Sequence, residues 1–145
     1  MNSFRYAVSF RIWHPELDPS EISAKLLLTQ DISWAVGDVR RSPKGKVLGG
    51  ERQETYWSHA LPSGPDTGLA DCLETFTQRL EPYAEYLKEI RADGGRIEYF
   101  IGWFSGPNSG ELLSHQLLGK LSALGIDLAF DIYGATTDEG REDSP

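Results

Sequence analysis

An α+β fold is predicted for this chain of 145 residues: a ferredoxin-like split βαβ sheet (β-α-β-β-α-β) extended by a C-terminal α-β unit. Three patterns carry that expectation. Strands with period-two alternation stand near both ends of the chain, a long apolar stripe at helical spacing fills residues 69–90, and residues 96–104 are apolar on both faces.

Phe4, Tyr6, Val8, Phe10 and Ile12 alternate with Arg5, Ala7, Ser9, Arg11 and Trp13, so residues 4–13 read as a strand with one core face. The turn HPELD then opens a helix, with Asp18 as N-cap, Pro19 at the first helical position, Glu21 completing a capping box, and Ile22, Leu26 and Leu27 as its buried stripe. Residues 33–36 are expected as a second strand and residues 54–61 as a third, with Thr55, Trp57, His59 and Leu61 on one face. Gly37-Asp38 makes a turn between them, and the Lys- and Gly-rich stretch 42–50 is expected to be a mobile loop.

Turn residues 61–68 lead into the long helix, where Pro82 should force a kink near Glu81 because it removes a backbone donor. Asp71, Glu74, Glu81, Glu85 and Glu89 make an acidic stripe on its outer side. A further helix carrying Leu117, Leu121 and Leu124 starts at Asn108 or Ser114 and stops at Gly125; Ile126, Leu128, Phe130 and Ile132 then mark the last strand. This last strand is expected to run parallel to the fourth through a right-handed crossover.

One domain is expected over residues 1–136, followed by a disordered acidic tail over 137–145. The alternating amino terminus does not read as a signal peptide, and no apolar run reaches the ~18 residues of a membrane span. Cys72 is the sole cysteine, which suits a reducing compartment, and the reading is cytoplasmic with no membrane partner. A net charge of −8 argues against nucleic acid as a partner. The charge is uneven, since residues 40–52 carry five basic groups and one acid.

The succession LDPSEISAKLLL, SWAVGD, Trp57 and LLGKLSALGIDLAFDIY resembles the bacterial domain-of-unknown-function family DUF4279 over residues 4–133. Gly37, Asp38, Trp57, Gly125, Asp131 and Tyr133 fit the family's positions; HPELDP and the length of the 42–50 insert depart from it. The resemblance implies an α+β domain of unassigned activity, linked in some members with toxin-immunity settings, and it brings no catalytic residues.

No nucleophile-base set, phosphate-loop glycine spacing or metal ligand set is recognisable, so neither a cofactor nor a metal is expected. His14, Glu16 and Asp18 alternate in one loop, but Asp18 already serves as a helix cap. Ser58 and His59 are neighbours in a strand and so face opposite ways. If helices cover one side of the sheet, Arg5, Arg11, Trp13, Asp131 and Tyr133 share the other, with Asp38 and Arg40 at its margin. That arrangement predicts a non-enzymatic acidic binding module with a protein partner, an immunity-type neutralising role being its most concrete form. Steering is then expected from the acidic stripe and tail toward a basic partner. A homodimer through the same face satisfies the pattern as well. The alternative is a small-anion or metabolite site, enzymatic or not, between Gly37-Asp38 and the loop holding Ser105, Gly106, Asn108 and Ser109, where a helix start would supply backbone donors.

Overall fold

The computed structural model describes residues 4–63, 66–106 and 108–134. The expected tail at 137–145 lies outside them. In chain order the elements are β1 (Arg5–His14), α1 (Pro19–Leu26), β2 (Ile32–Trp34), β3 (Val39–Arg41), β4 (Val47–Glu51), β5 (Thr55–Ala60), α2 (Leu69–Leu80), a 3-10 turn (Glu81–Tyr83), α3 (Ala84–Ala92), β6 (Arg96–Phe104), α4 (His115–Leu124) and β7 (Asp127–Tyr133). Five strands form one sheet in the order β2-β5-β1-β6-β7, and β3 and β4 form a separate two-stranded ribbon. Every pairing in the sheet is antiparallel except β6 with β7, which is parallel.

Alternation along β1 divides the sheet into two faces. Val8, Phe10 and Ile12 are buried and pair with Ile101, Tyr99 and Ile97 on β6, while Phe10 and Ile12 also pair with His59 and Trp57 on β5. The helices bring Ile22, Leu26, Leu73, Phe76, Leu87, Ile90, Leu117 and Leu121 onto this face to complete the core. Phe10 sits at its centre, with the rings of Trp57, Phe76 and Tyr99 at 5.9, 5.5 and 5.6 Å. Two polar contacts lie inside the core: Trp57 Nε1 donates to Ser23 Oγ at 2.9 Å, and the Thr77 and Tyr99 hydroxyls bond at 2.8 Å.

Local signals account for the helix ends. Ser20 N–H donates to Asp18 Oδ1 at 2.9 Å and Asp18 N–H to Glu21 Oε2 at 3.3 Å, closing the capping box at the start of α1. The long helical stripe breaks at the Pro82 turn into α2 and α3, as the missing donor requires. Ser114 caps α4, its side chain accepting from Leu117 N–H at 3.1 Å. Gly95 is fixed by packing: a Cβ there would stand 2.7 Å from both the Ile90 and Trp13 carbonyl oxygens, so only glycine lets α3 turn tightly against β1.

Two expectations are corrected. Leu27 is not part of the buried stripe; it is the C-cap of α1, in the left-handed region at φ 56, and 71% exposed. The stretch 42–50 is no structureless loop, because Val47–Glu51 pairs with Val39–Arg41 around a tip closed by Gly45 N–H to Ser42 O at 2.8 Å. No helix among the described residues is long and apolar enough to cross a membrane.

Candidate functional site

The sheet's other face contributes nothing to the helix-packed core, and its rows are fixed by strand register. At one end Arg5 pairs with Phe104, which pairs with Tyr133. The Arg5 guanidinium lies 5.1 Å from the Phe104 ring centre, and the Phe104 and Tyr133 rings stack at 5.0 Å and 8°. Tyr133 donates its hydroxyl to the Asp131 carboxylate at 2.6 Å, and that bond, before any burial, raises the phenol above its ordinary value.

Mid-face, Arg11 stacks 3.8 Å over Phe100 and stands 3.9 Å from Glu98. Burial raises the Glu98 carboxyl above its usual range despite the opposing pull of Arg11 and Arg96. Arg11 Nε is buried with no partner. At the far end Trp34, Tyr56, Trp13 and Arg96 form one continuous cross-strand row. Tyr56 is buried between the two tryptophans, at 4.7 Å from Trp34 and 5.3 Å from Trp13. Arg96 caps Trp13 at 4.2 Å while bonding Glu54 at 3.0 Å, and Arg52, just beyond the ribbon, caps Trp34 at 3.7 Å.

A cleft of about 410 Å³ opens where the ribbon meets this row, between Trp13, Trp34, Arg40, Arg52 and Glu54. A second, of about 460 Å³, lies beside it against Ser33, Trp34, Asp38, Arg41 and Arg52. Thus Arg5, Arg11, Trp13, Asp131 and Tyr133 do share one face, with Arg40 and Asp38 in the two clefts at its end. Trp34 and Tyr56 complete the row and Arg52 caps it, none of them among the residues the sequence placed on this face.

Charge separates the same way. The second face and residues 38–54 hold eight of the fourteen basic side chains against six acids, so this side carries +2 while the rest of the −8 chain carries −10.

The expected anion site between Asp38 and Ser105 is not assembled. Asp38 follows β2, beside the row where β6 begins, whereas Ser105 follows the end of β6 nine residues later, about 30 Å away at strand rise. The Ser105 loop also lacks a helix start, since α4 begins at His115. Its donors are engaged locally: Trp103 Nε1 donates to Ser109 Oγ at 3.0 Å, the Ser109 and Ser105 hydroxyls bond at 2.7 Å, and Ser105 donates to Gly106 O at 2.9 Å. Asn108 is exposed, and Pro107 lies outside the described residues.

The remaining reactive groups serve structure. His14 Nδ1 accepts from Glu16 and Leu17 N–H at 2.9 and 3.0 Å, ordering the loop before α1. His59 Nδ1 donates to Thr29 O at 2.6 Å, its ring stacked between Trp57 and Phe76. Burial raises the Cys72 thiol, which keeps it protonated and a poor nucleophile. Among the described residues, no group of three or more His, Cys, Asp or Glu is placed to hold a metal ion.

No curated protein and no solved structure matches the chain significantly. The family model described as domain of unknown function (DUF4279) matches residues 3–135, nearly the whole chain, and the chain therefore belongs to the DUF4279 family.

Proposed function

We propose that this chain is a non-enzymatic binding module that engages a partner protein through the second face of its sheet, in a cytoplasmic setting, with neutralisation of a partner in the manner of an immunity protein as the most concrete form. The single observation that supports this most is the set of arginines stacked on aromatic rings across that face: Arg5 on Phe104, Arg11 on Phe100, Arg96 on Trp13 and Arg52 on Trp34. Arginine and large aromatics dominate interface energetics, and a guanidinium already held on a ring loses less freedom when a partner closes over it.

The charge separation refines the sequence expectation. The acidic helix side was read as the attractive surface, but the face itself carries the positive charge, so the attraction is assigned to an acidic partner. We also read the frame as a ferredoxin-like split βαβ, on the ground that β2-β5-β1-β6 are antiparallel neighbours with α1 and α2–α3 as the connections.

Photo-crosslinking amino acids placed at the exposed or half-buried Ala7 and Ala129 on this face, and at Lys88 on the helix side, test the reading in native cells. A common protein adduct from Ala7 and Ala129 but not from Lys88 is expected. Adducts from Lys88 alone would contradict it.

A further inference from the structure

We propose that the two clefts flanking the Arg52–Trp34 stack form one site for an extended acidic peptide segment, a stretch of partner protein in which carboxylate side chains alternate with apolar ones. The proposal rests on the reading of this face as a protein-binding surface. Trp34 and Arg52 line both clefts, so the stack is a shared wall between two openings of about 410 and 460 Å³. A single small carboxylate would occupy one of them. A peptide in extended form, rising ~3.3 Å per residue with side chains pointing alternately to opposite sides, passes over the wall within a few residues and reaches both.

The cation chemistry favours carboxylate. Among the described residues the arginine ion pairs are Arg11–Glu98 and Arg96–Glu54, and neither Arg40 nor Arg52 takes part in one. Their own contacts are to backbone oxygens, Arg40 Nη1 to Gly49 O at 3.5 Å and Arg52 Nη2 to Arg41 O at 3.3 Å, at or beyond the long end of hydrogen bonding. Each guanidinium therefore retains donors in the fork geometry that matches a carboxylate through two parallel bonds. Trp13 and Trp34 supply apolar walls for the intervening side chains, and with Glu54 held by Arg96 the two linings set Arg40, Arg41 and Arg52 against Asp38 and Glu51, a local excess of one positive charge.

The test is fluorescence anisotropy with the full chain and a labelled Gly-Glu-Phe-Glu-Phe-Glu-Gly peptide, beside its counterpart with glutamine in place of glutamate. The glutamate peptide is expected to bind at least about tenfold more tightly, with affinity falling as salt rises. An Arg40→Gln variant, which leaves the Arg52–Trp34 stack in place and is checked for an unchanged melting temperature, should lose about tenfold or more in affinity for it. Equal binding of the two peptides, no binding of either, full affinity in the Arg40→Gln variant, or displacement by free glutarate at concentrations equal to the peptide would each overturn the proposal. If the adducts from Ala7 and Ala129 persist while the peptide does not bind, the acidic-segment assignment falls alone; loss of those adducts in the unaltered chain removes the face reading beneath it.

Discussion

The guanidinium of Arg52 lies 3.7 Å above the ring of Trp34, and this stack joins the β3-β4 ribbon to the edge strand of the sheet. Arg52 also donates to Arg41 O on the ribbon at 3.3 Å, adding to the backbone bonds at the ribbon's base, Gly37 N–H to Arg52 O and Arg52 N–H to Asp38 O, both at 2.8 Å. A stack of this kind is worth about 0.5–1 kcal/mol at an exposed site. The ribbon tip is fully open, which makes Lys44 or Lys46 the expected first tryptic cut, with the core surviving. Arg52→Ala should speed that cut by roughly two- to fivefold, and an unchanged rate would show the ribbon held by other contacts.

Trp57 is fully buried, pairs across the sheet with Ile12, and reaches Ser23 on α1 through its indole N–H. Trp57→Ala removes both the packing and the helix-to-sheet hydrogen bond, so denaturant melts should show a loss of about 3–5 kcal/mol. A loss below about 1 kcal/mol would mean that the core closes without this ring.

Leu27 holds a left-handed backbone while its side chain is 71% exposed, so it has strain and little burial to offset it. The conformation costs a non-glycine residue about 1–2 kcal/mol, against the roughly 0.5–1 kcal/mol of extra chain entropy that glycine loses on folding. Leu27→Gly is therefore expected to raise unfolding stability by about 0.5–1 kcal/mol. A decrease would assign the exposed leucine a contact beyond its cap.

Burial raises the phenols of Tyr6 and Tyr86 to about 12, and that of Tyr99 further still, from an ordinary value of 10.0. The folded chain thus binds more protons than the unfolded one between pH 10 and 12, and stability falls as pH rises through that window. Below pH 10 the contribution is fully present. Ultraviolet titration should show these phenols ionising later than the exposed ones, together with a falling melting temperature; a flat melting temperature to pH 12 would contradict the assignment.

What the sequence made legible follows from where burial leaves a periodic mark. Phe4 to Ile12, the Asp18 cap, the break at Pro82 and the buried Cys72 each carry a local signal that tertiary structure did not override. The ribbon left none, because Val39–Arg41 and Val47–Glu51 are exposed throughout and neither face is selected for apolar side chains. Leu27 looked like core by spacing, yet the helix ends one residue earlier, and a cap is set by backbone rather than by periodicity. Trp13 was visible as a surface residue, but its row with Tyr56 and Trp34 depends on register between strands more than twenty residues apart. For the same reason Asp38 and Ser105 could be imagined together although they lie at opposite ends of the sheet.

The most direct test of the binding face uses side chains that the fold does not need. Arg5 and Tyr133 lie outside the core, so Arg5→Glu with Tyr133→Ala should lower the melting temperature by only a few degrees through loss of the contacts to Phe104, and Lys88→Glu on the helix side should leave it unchanged. Quantitative co-purification from native lysate then compares the three chains. Partner recovered by the unaltered chain and by Lys88→Glu, but lost by about tenfold or more from the face variant, is the predicted result. Equal recovery by all three chains, or loss from Lys88→Glu alone, would contradict the claim that this face is where the protein binds.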